Sequence, residues 1–138
     1  GRITYQLMEY WRTIVENPTG NATTDDFAVA IDDVTKIVYS RTLASVDWNN
    51  TELKCEIDKD ELLELKRQPG KHILVGSPSL IVTLANMDLV DEFQLSVQPA
   101  VVGSGLSLFK NVTDRIDLKL MNTKTFGGGA VTLYYQPR

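Results

Sequence analysis

The stretch from Val97 to Phe109 constrains the fold more than any other part of this 138-residue chain. It reads Val-Gln-Pro-Ala-Val-Val-Gly-Ser-Gly-Leu-Ser-Leu-Phe and follows a run at 92–97 that predicts a β-strand. Proline ends the strand because it lacks a backbone donor, and the Gly-x-Gly pair predicts a tight turn. Leu108 stands where a dinucleotide-binding fingerprint requires its third glycine, so we reject that motif. We expect Leu108 and Phe109 to pack into the core.

The segment 58–70 carries the clearest helix signals in the chain. Asp58 predicts an N-cap, and Glu61 follows three residues later, as in a capping box. Basic residues suit the negative end of the helix dipole, and Pro69-Gly70 ends the helix. Its buried stripe is predicted to consist of Leu62, Leu63 and Leu65.

Apolar runs on both sides of this helix predict strands. Ile37–Tyr39 and the alternating run 53–57 are two of them, and His72–Val75 is apolar enough to suggest burial on both faces, as in a parallel sheet. Cys55 falls in the second run and is interpreted as a structural thiol. As the only cysteine, it cannot form an intrachain disulfide.

The two ends of the chain differ in character. Residues 4–11 predict a short helix, and residues 27–34 a weakly helical or irregular piece. Ser77 and Pro78 predict the start of a helix that ends near Asn86. The alternating runs on either side of Gly127-Gly128-Gly129 predict an antiparallel hairpin. The pattern as a whole indicates an α/β fold with a mixed sheet.

Four motifs, taken in chain order, carry a family resemblance: Gly1-Arg2-Ile3-Thr4-Tyr5, Tyr39–Thr42, Val75–Ser77 and Val97–Phe109. The chain resembles the dihydrofolate-reductase-like family, in the branch that contains the C-terminal reductase domain of bacterial riboflavin-biosynthesis enzymes. The resemblance implies a three-layer fold in which helices flank a mixed, mostly parallel sheet with a C-terminal antiparallel hairpin. We expect one domain over residues 1–138.

Family members place a strand, a loop and a helix before the Gly-Arg-x-Thr motif, which here opens the sequence. We therefore expect the 138 residues to lack the N-terminal strand and helix of the domain. The preceding residues of a longer polypeptide would complete the sheet and the substrate pocket.

Three segments have residues suited to binding phosphate. The Gly76–Ser79 junction would aim backbone amides and a helix dipole at an anion, although from the residues alone a well-capped helix is the more common explanation. Ser40, Arg41 and Thr42 follow a strand and could hold a monophosphate or form a turn. The start of the chain offers a cation and a hydroxyl, Arg2 and Thr4.

The resemblance assigns these segments to NADPH. It implies that the first segment, through Gly76, Ser77 and Ser79, touches the pyrophosphate. It implies that Ser40, Arg41 and Thr42 face the adenosine and its 2′-phosphate. It also implies that Arg2 and Thr4 contact the cofactor phosphates.

The leading hypothesis is an NADPH-dependent reductase that transfers a hydride to a C=N or C=O bond of a small, pterin- or pyrimidine-like substrate. The alternative is a nucleotide-binding or dimerisation module of the same fold without turnover. We assign no catalytic acid, since Asp91-Glu92 fits a solvated turn better than a proton donor. One His and one Cys do not supply a transition-metal site, so no metal is expected.

The charge balance and the hydropathy pattern limit the partners. A net charge of −4 gives no reason to expect nucleic acid or an anionic membrane. There is neither a signal peptide nor an apolar run of the roughly 18 residues needed to span a bilayer, so we expect a cytoplasmic protein. The resemblance implies a homodimer, for which Tyr134 and Tyr135 of the terminal hairpin could supply an interface.

Overall fold

Three helices, two strands, two helices and three strands follow one another along the chain in the computed structural model, which describes residues 1–138. The chain divides into a first unit, Gly1–Ser77, and a second unit, Pro78–Arg138. The elements of the first unit are α1 (Arg2–Met8), α2 (Tyr10–Glu16), α3 (Ala22–Asp33), β1 (Lys36–Tyr39), β2 (Thr51–Lys54) and α4 (Lys59–Arg67). Those of the second are α5 (Pro78–Asn86), β3 (Phe93–Val97), β4 (Leu118–Thr125) and β5 (Val131–Pro137). The α/β fold class is confirmed.

The N-terminal helices are longer than the sequence pattern predicts. Helices α1 and α2 join at Glu9, whose backbone remains right-handed helical, so the helical stretch runs well past residue 11. The weakly helical or irregular piece expected at 27–34 belongs to the 12-residue helix α3, which ends at Asp33. Its start is fixed by Asn21, whose side-chain oxygen accepts a hydrogen bond from the Thr24 amide at 3.1 Å.

Helix α4 begins and ends where the sequence predicts. The Asp58 carboxylate caps it by accepting from the amides of Asp60 and Glu61 at 2.8 and 3.0 Å. The Glu61 side chain forms an ion pair with Lys54 of β2. The three leucines of the predicted stripe are only partly buried.

Strands β1 and β2 form a two-stranded parallel sheet in which Val38 lies opposite Leu53. Val38 packs with Tyr5 of α1 and with Trp48 in the buried cluster of this unit. The Trp48 indole N–H donates to the Asp32 carboxylate at 2.6 Å, so the buried ring leaves no polar atom unpaired. This cluster attaches α1, the end of α3 and the segment between β1 and β2 to the sheet.

Two predictions about this unit are wrong. His72–Val75 is not a strand, and Leu74 is 82% exposed. A strand needs a hydrogen-bonded neighbour, and neither β1 nor β2 pairs with this segment. Cys55 lies in a bend just after β2 and is exposed, because the strand ends at Lys54. It is therefore neither a strand residue nor a buried structural thiol.

The second unit contains a three-stranded antiparallel sheet in the order β3-β5-β4. The predicted terminal hairpin is confirmed, with a register irregularity between Leu120 and Asn122. Strand β5 is central, so its neighbours partly cover Tyr134 and Tyr135, and β4 forms an edge. The paired strands are thus distributed between a short parallel and a longer antiparallel sheet, where the resemblance implied a mostly parallel one.

The turn after β3 is confirmed, but the expected packing of the following residues is only partly met. Gly103 has φ +71°, and the Ser104 amide donates to the Val102 carbonyl at 2.8 Å. Phe109 makes an edge contact with Phe93 at a centroid distance of 5.9 Å, yet it remains 37% exposed. Leu108 is exposed, so the prediction that it enters the core is wrong.

Replacing Trp48 by Ala should destabilise the protein by about 3–5 kcal/mol, because it empties the centre of the cluster and leaves Asp32 without its indole donor. Urea unfolding followed by circular dichroism measures the change. Leu7→Ala is the control, since Leu7 is 71% exposed and its loss should change the free energy of unfolding by less than about 0.5 kcal/mol. Equal effects of the two substitutions would contradict the role given to Trp48.

Candidate functional site

The predicted segment Ser40–Thr42 forms a turn at the carboxyl end of β1. Ser40 is buried, and its hydroxyl oxygen accepts hydrogen bonds from the amides of Thr42 and Leu43 at 3.2 and 3.1 Å. The Thr42 hydroxyl lies 3.4 Å from the Ser40 hydroxyl. Of the two expectations for this segment, the turn is observed directly. The Ser40 hydroxyl oxygen therefore already accepts hydrogen bonds from within the chain.

Arg41 is the member of this segment that is available to a ligand. It is exposed, and no ion pair or hydrogen bond within the chain engages its guanidinium. The other basic residues nearby in sequence are occupied. Lys36 donates to the carbonyls of Ile31, Asp32 and Val34 at the end of α3, and Lys54 pairs with two glutamates. An unpaired cation at the end of a parallel strand is suited to an anionic group.

The Lys36 ammonium differs from the Arg41 guanidinium because its partners lie within the chain. Its nitrogen lies 4.7 Å from the centre of the Trp48 ring. It also donates hydrogen bonds to three carbonyls at the C-terminal end of α3, which would otherwise lack a partner in the helix. Burial lowers the pKa of Lys36, while Asp32 and Asp33 oppose that shift. Lys36 is therefore a structural cation, whereas Arg41 has no structural partner.

The start of α1 lies beside the end of the first unit. The Gly1 nitrogen donates to the Ser77 hydroxyl at 3.4 Å, which brings the Arg2–Thr4 turn close to Ser77. Ser77 is 6% exposed, Thr4 is half-buried and Arg2 is exposed. The structure thus brings together two of the three predicted segments, those of Gly1–Thr4 and Gly76–Ser77.

Gly76 lies where the chain passes from the irregular segment after α4 towards α5. It is exposed, and a Cβ built on it would meet no atom within 4 Å. The space beside its backbone is therefore open to a ligand. Ser79 belongs to the second unit, where it is exposed in the first turn of α5 and its carbonyl accepts from the Thr83 hydroxyl at 3.0 Å.

A shallow groove lies on the other face of β1. Side chains alternate along a strand, so Ile37 and Tyr39 face away from Val38 and Ser40. They line this groove with Leu62 and Leu65 of α4, among other residues. Burial raises the pKa of Tyr39, with smaller contributions from Glu52 and Asp58. The groove is therefore separate from the Ser40–Thr42 turn.

The remaining polar candidates show no catalytic arrangement. Asp91 and Glu92 are exposed, and Glu92 accepts a hydrogen bond from the Gln94 amide at 2.9 Å. No group of three or more His, Cys, Asp or Glu side chains is placed to hold a metal ion. None of the helices has the length and apolar character required to cross a bilayer.

Sequence reasoning missed the internal use of Ser40. The signal was present, because a serine just before a turn commonly accepts hydrogen bonds from amides two and three residues later. It also missed the salt bridge from Arg12 of α2 to Asp47, at 2.8 Å, which ties the segment between β1 and β2 to a helix. That contact joins residues 35 positions apart, and no local pattern indicates it.

Comparisons with known proteins place this geometry in context. A family model for the RibD C-terminal domain matches residues 10–132. The chain is 46% identical to "Uncharacterized protein YyaP" of Bacillus subtilis (strain 168) over 101 residues, which is 72% of this chain and 53% of that protein. It is 40% identical to "Uncharacterized protein YwjB" of the same organism over 72 residues, 51% of this chain and 41% of that protein. The chain thus spans about half the length of these curated relatives or less.

A solved structure shares the fold. It is a crystal structure from Shewanella sp. PV-4 described as a "Putative riboflavin biosynthesis protein", with a TM-score of 0.66. The match covers 85% of this chain and 71% of that chain at 17% identity. At this identity the likeness concerns the fold, which agrees with the dihydrofolate-reductase-like resemblance of the sequence.

The contrast between the two cations predicts a difference in stability. Arg41→Gln should change the free energy of unfolding by less than about 0.5 kcal/mol, because the side chain has no partner. Lys36→Gln should cost about 1.5–3 kcal/mol, because it removes charge-assisted hydrogen bonds to the end of α3. Urea unfolding of both variants tests this. A large loss in Arg41→Gln would mean that its guanidinium has a structural contact.

Proposed function

The chain belongs to the RibD C-terminal domain family, and we propose that it is an NADPH-dependent reductase that transfers a hydride to a C=N or C=O bond of a small molecule. The observation that carries the proposal is the exposed, unpaired guanidinium of Arg41 at the carboxyl end of a parallel strand. In open α/β sheets this edge is where ligands bind. A guanidinium there is suited to bidentate binding of a phosphate.

The residues present fit the phosphates of such a cofactor. Arg41 would bind the 2′-phosphate, with the Thr42 hydroxyl beside it. The open space at Gly76 would let the pyrophosphate approach the backbone. Arg2, exposed in the first turn of α1, would add positive charge near Ser77. Ser40 fits less well as a direct ligand, because its oxygen already accepts two amide hydrogen bonds.

NADPH, when bound, would supply the hydride. The residues of this chain would bind the cofactor and orient it. Arg41 and Arg2 would neutralise phosphate charge, and the rigid turn at Ser40–Thr42 would hold the adenosine end in place. Reduction of a C=N or C=O bond also consumes a proton, which solvent, substrate or a side chain must supply, and we assign no residue of this chain as the donor.

The substrate class in this proposal is a small heterocycle of pterin or pyrimidine type. It rests on membership of the RibD C-terminal domain family and on the fold shared with the Shewanella protein. Oxidation of NADPH in the presence of a panel of such compounds would test turnover. Binding of NADPH without any turnover across the panel would favour the non-catalytic nucleotide-binding module instead.

The homodimer implied by the resemblance is also part of the proposal. Tyr134 and Tyr135 lie on the central strand β5, so the edges of this sheet that could meet a second copy are β3 and β4, and we assign the contact to β4. Leu120 and Met121 on that strand are each 48% exposed. Sedimentation of the purified protein would measure the state of association.

The protein should bind NADPH more tightly than NADH, because Arg41 can neutralise a 2′-phosphate that NADH lacks. Arg41→Gln should weaken NADPH binding by about 1.5–3 kcal/mol and leave NADH binding nearly unchanged. Titration calorimetry on both proteins with both cofactors measures this. Equal affinity of the wild type for the two cofactors would contradict the role given to Arg41.

Gly76→Val should abolish NADPH binding and leave the fold intact. A Cβ added at Gly76 meets no atom within 4 Å, and the branched carbons would fill the space through which the phosphate approaches. Gly105→Val is the matched control, because its Cβ also meets nothing within 4 Å and it lies outside the proposed site. Circular dichroism checks folding, and NADPH fluorescence checks binding. Undiminished affinity in folded Gly76→Val would show that the junction does not hold the cofactor.

A further inference from the structure

Ser40 is placed to determine the conformation of the turn that carries Arg41. Its amide donates to the Lys54 carbonyl at 2.9 Å, which anchors it to the end of β2. Its hydroxyl oxygen accepts from the amides of Thr42 and Leu43, on the far side of Arg41. The side chain is buried, with the residue 9% exposed. Arg41 thus lies between Ser40, which is anchored to β2, and two residues whose amides are hydrogen-bonded to the Ser40 hydroxyl.

The hydrogen-bonding capacity of the hydroxyl limits what else Ser40 can do. A hydroxyl oxygen has two acceptor sites and one donor. The two amides occupy the acceptor sites, and the Thr42 hydroxyl, 3.4 Å away, is placed to receive the donor. Little capacity remains for a phosphate. Ser40 therefore differs from Arg41, whose donors are all available.

The turn is also held at its C-terminal end by the hydrophobic core. Leu43 packs against the Tyr5–Val38–Trp48 cluster, so its backbone cannot move without disturbing the core. With Ser40 held by β2 and Leu43 by the core, the two amide hydrogen bonds determine the path of the backbone at Arg41. Holding a binding residue in its bound geometry lowers the entropy cost of binding.

We propose that Ser40 is a positioning residue that sets the preference for a 2′-phosphorylated cofactor by orienting Arg41, without contacting the phosphate itself. This inference rests on the proposed function. It assigns selectivity to a pair of residues in which one holds the turn and the other binds the anion.

A double-mutant cycle separates orientation from contact. Ser40→Ala should weaken NADPH binding roughly five- to tenfold and NADH binding less than about twofold, so that the preference for NADPH falls. In an Arg41→Gln background the same substitution should have little further effect, because the residue it orients is gone. Ser40→Thr, which keeps the hydroxyl oxygen, should restore most of the preference. Titration calorimetry with NADPH and NADH measures the wild type, both single variants, the double variant and Ser40→Thr.

A structural readout that needs no cofactor accompanies the binding data. Hydrogen exchange at the amides of Thr42 and Leu43, followed by NMR, should accelerate in Ser40→Ala and stay slow in Ser40→Thr. Ser45→Ala is the matched control, since Ser45 is exposed in the same segment and makes no hydrogen bond in the chain. It should change neither the exchange rates nor the cofactor preference.

The possible outcomes distinguish this inference from the proposed function. A wild-type protein that binds neither cofactor, or binds both equally, would overturn the proposed function and this inference with it. A wild-type preference for NADPH that Arg41→Gln removes and Ser40→Ala leaves intact would overturn the positioning role alone. An effect of Ser40→Ala that persists undiminished in the Arg41→Gln background would show direct contact with the phosphate and also overturn it.

Discussion

Burial of the Trp48 indole is the interaction on which the first unit depends. The ring packs against Tyr5 and Val38, and its N–H donates to Asp32 at the end of α3. The Lys36 ammonium lies over the ring and donates hydrogen bonds to carbonyls at the end of the same helix. One side chain therefore connects two helices, a strand and the segment between β1 and β2. Because that segment carries Arg41, the position of the proposed phosphate-binding cation follows from a core contact.

The polar residues of the candidate site divide into those the chain uses and those it leaves available. The Ser40 oxygen accepts two amide hydrogen bonds, and Ser77 is buried beside Gly1. Arg41 has no partner, and the backbone at Gly76 borders open space. A buried hydroxyl without a partner costs free energy, and the chain pairs those of Ser40 and Ser77 internally. An exposed guanidinium remains hydrated and can stay unpaired until a ligand arrives.

The exposed apolar segments show the limit of a hydrophobic pattern as a guide to structure. His72–Val75 has the composition of a buried parallel strand, yet no strand pairs with it and Leu74 is largely exposed. Val101 and Leu106, in the loop after β3, are fully exposed. Burial needs a second surface as well as an apolar side chain, and a strand needs backbone partners. These requirements are properties of the whole fold and are absent from the local pattern.

Features that depend on short-range chemistry can be predicted from the sequence alone. Residues within a few positions of one another predict the Asp58 cap, the end of α4 before Pro69-Gly70, the Gly103 turn and the terminal hairpin. The motifs also indicated the family, which the match over residues 10–132 confirms. Which polar groups of the candidate site already have partners depends on tertiary packing. The partners of Arg12, Lys36 and Trp48 are brought in by packing, and the hydrogen bonds of Ser40 depend on the turn geometry that this packing imposes.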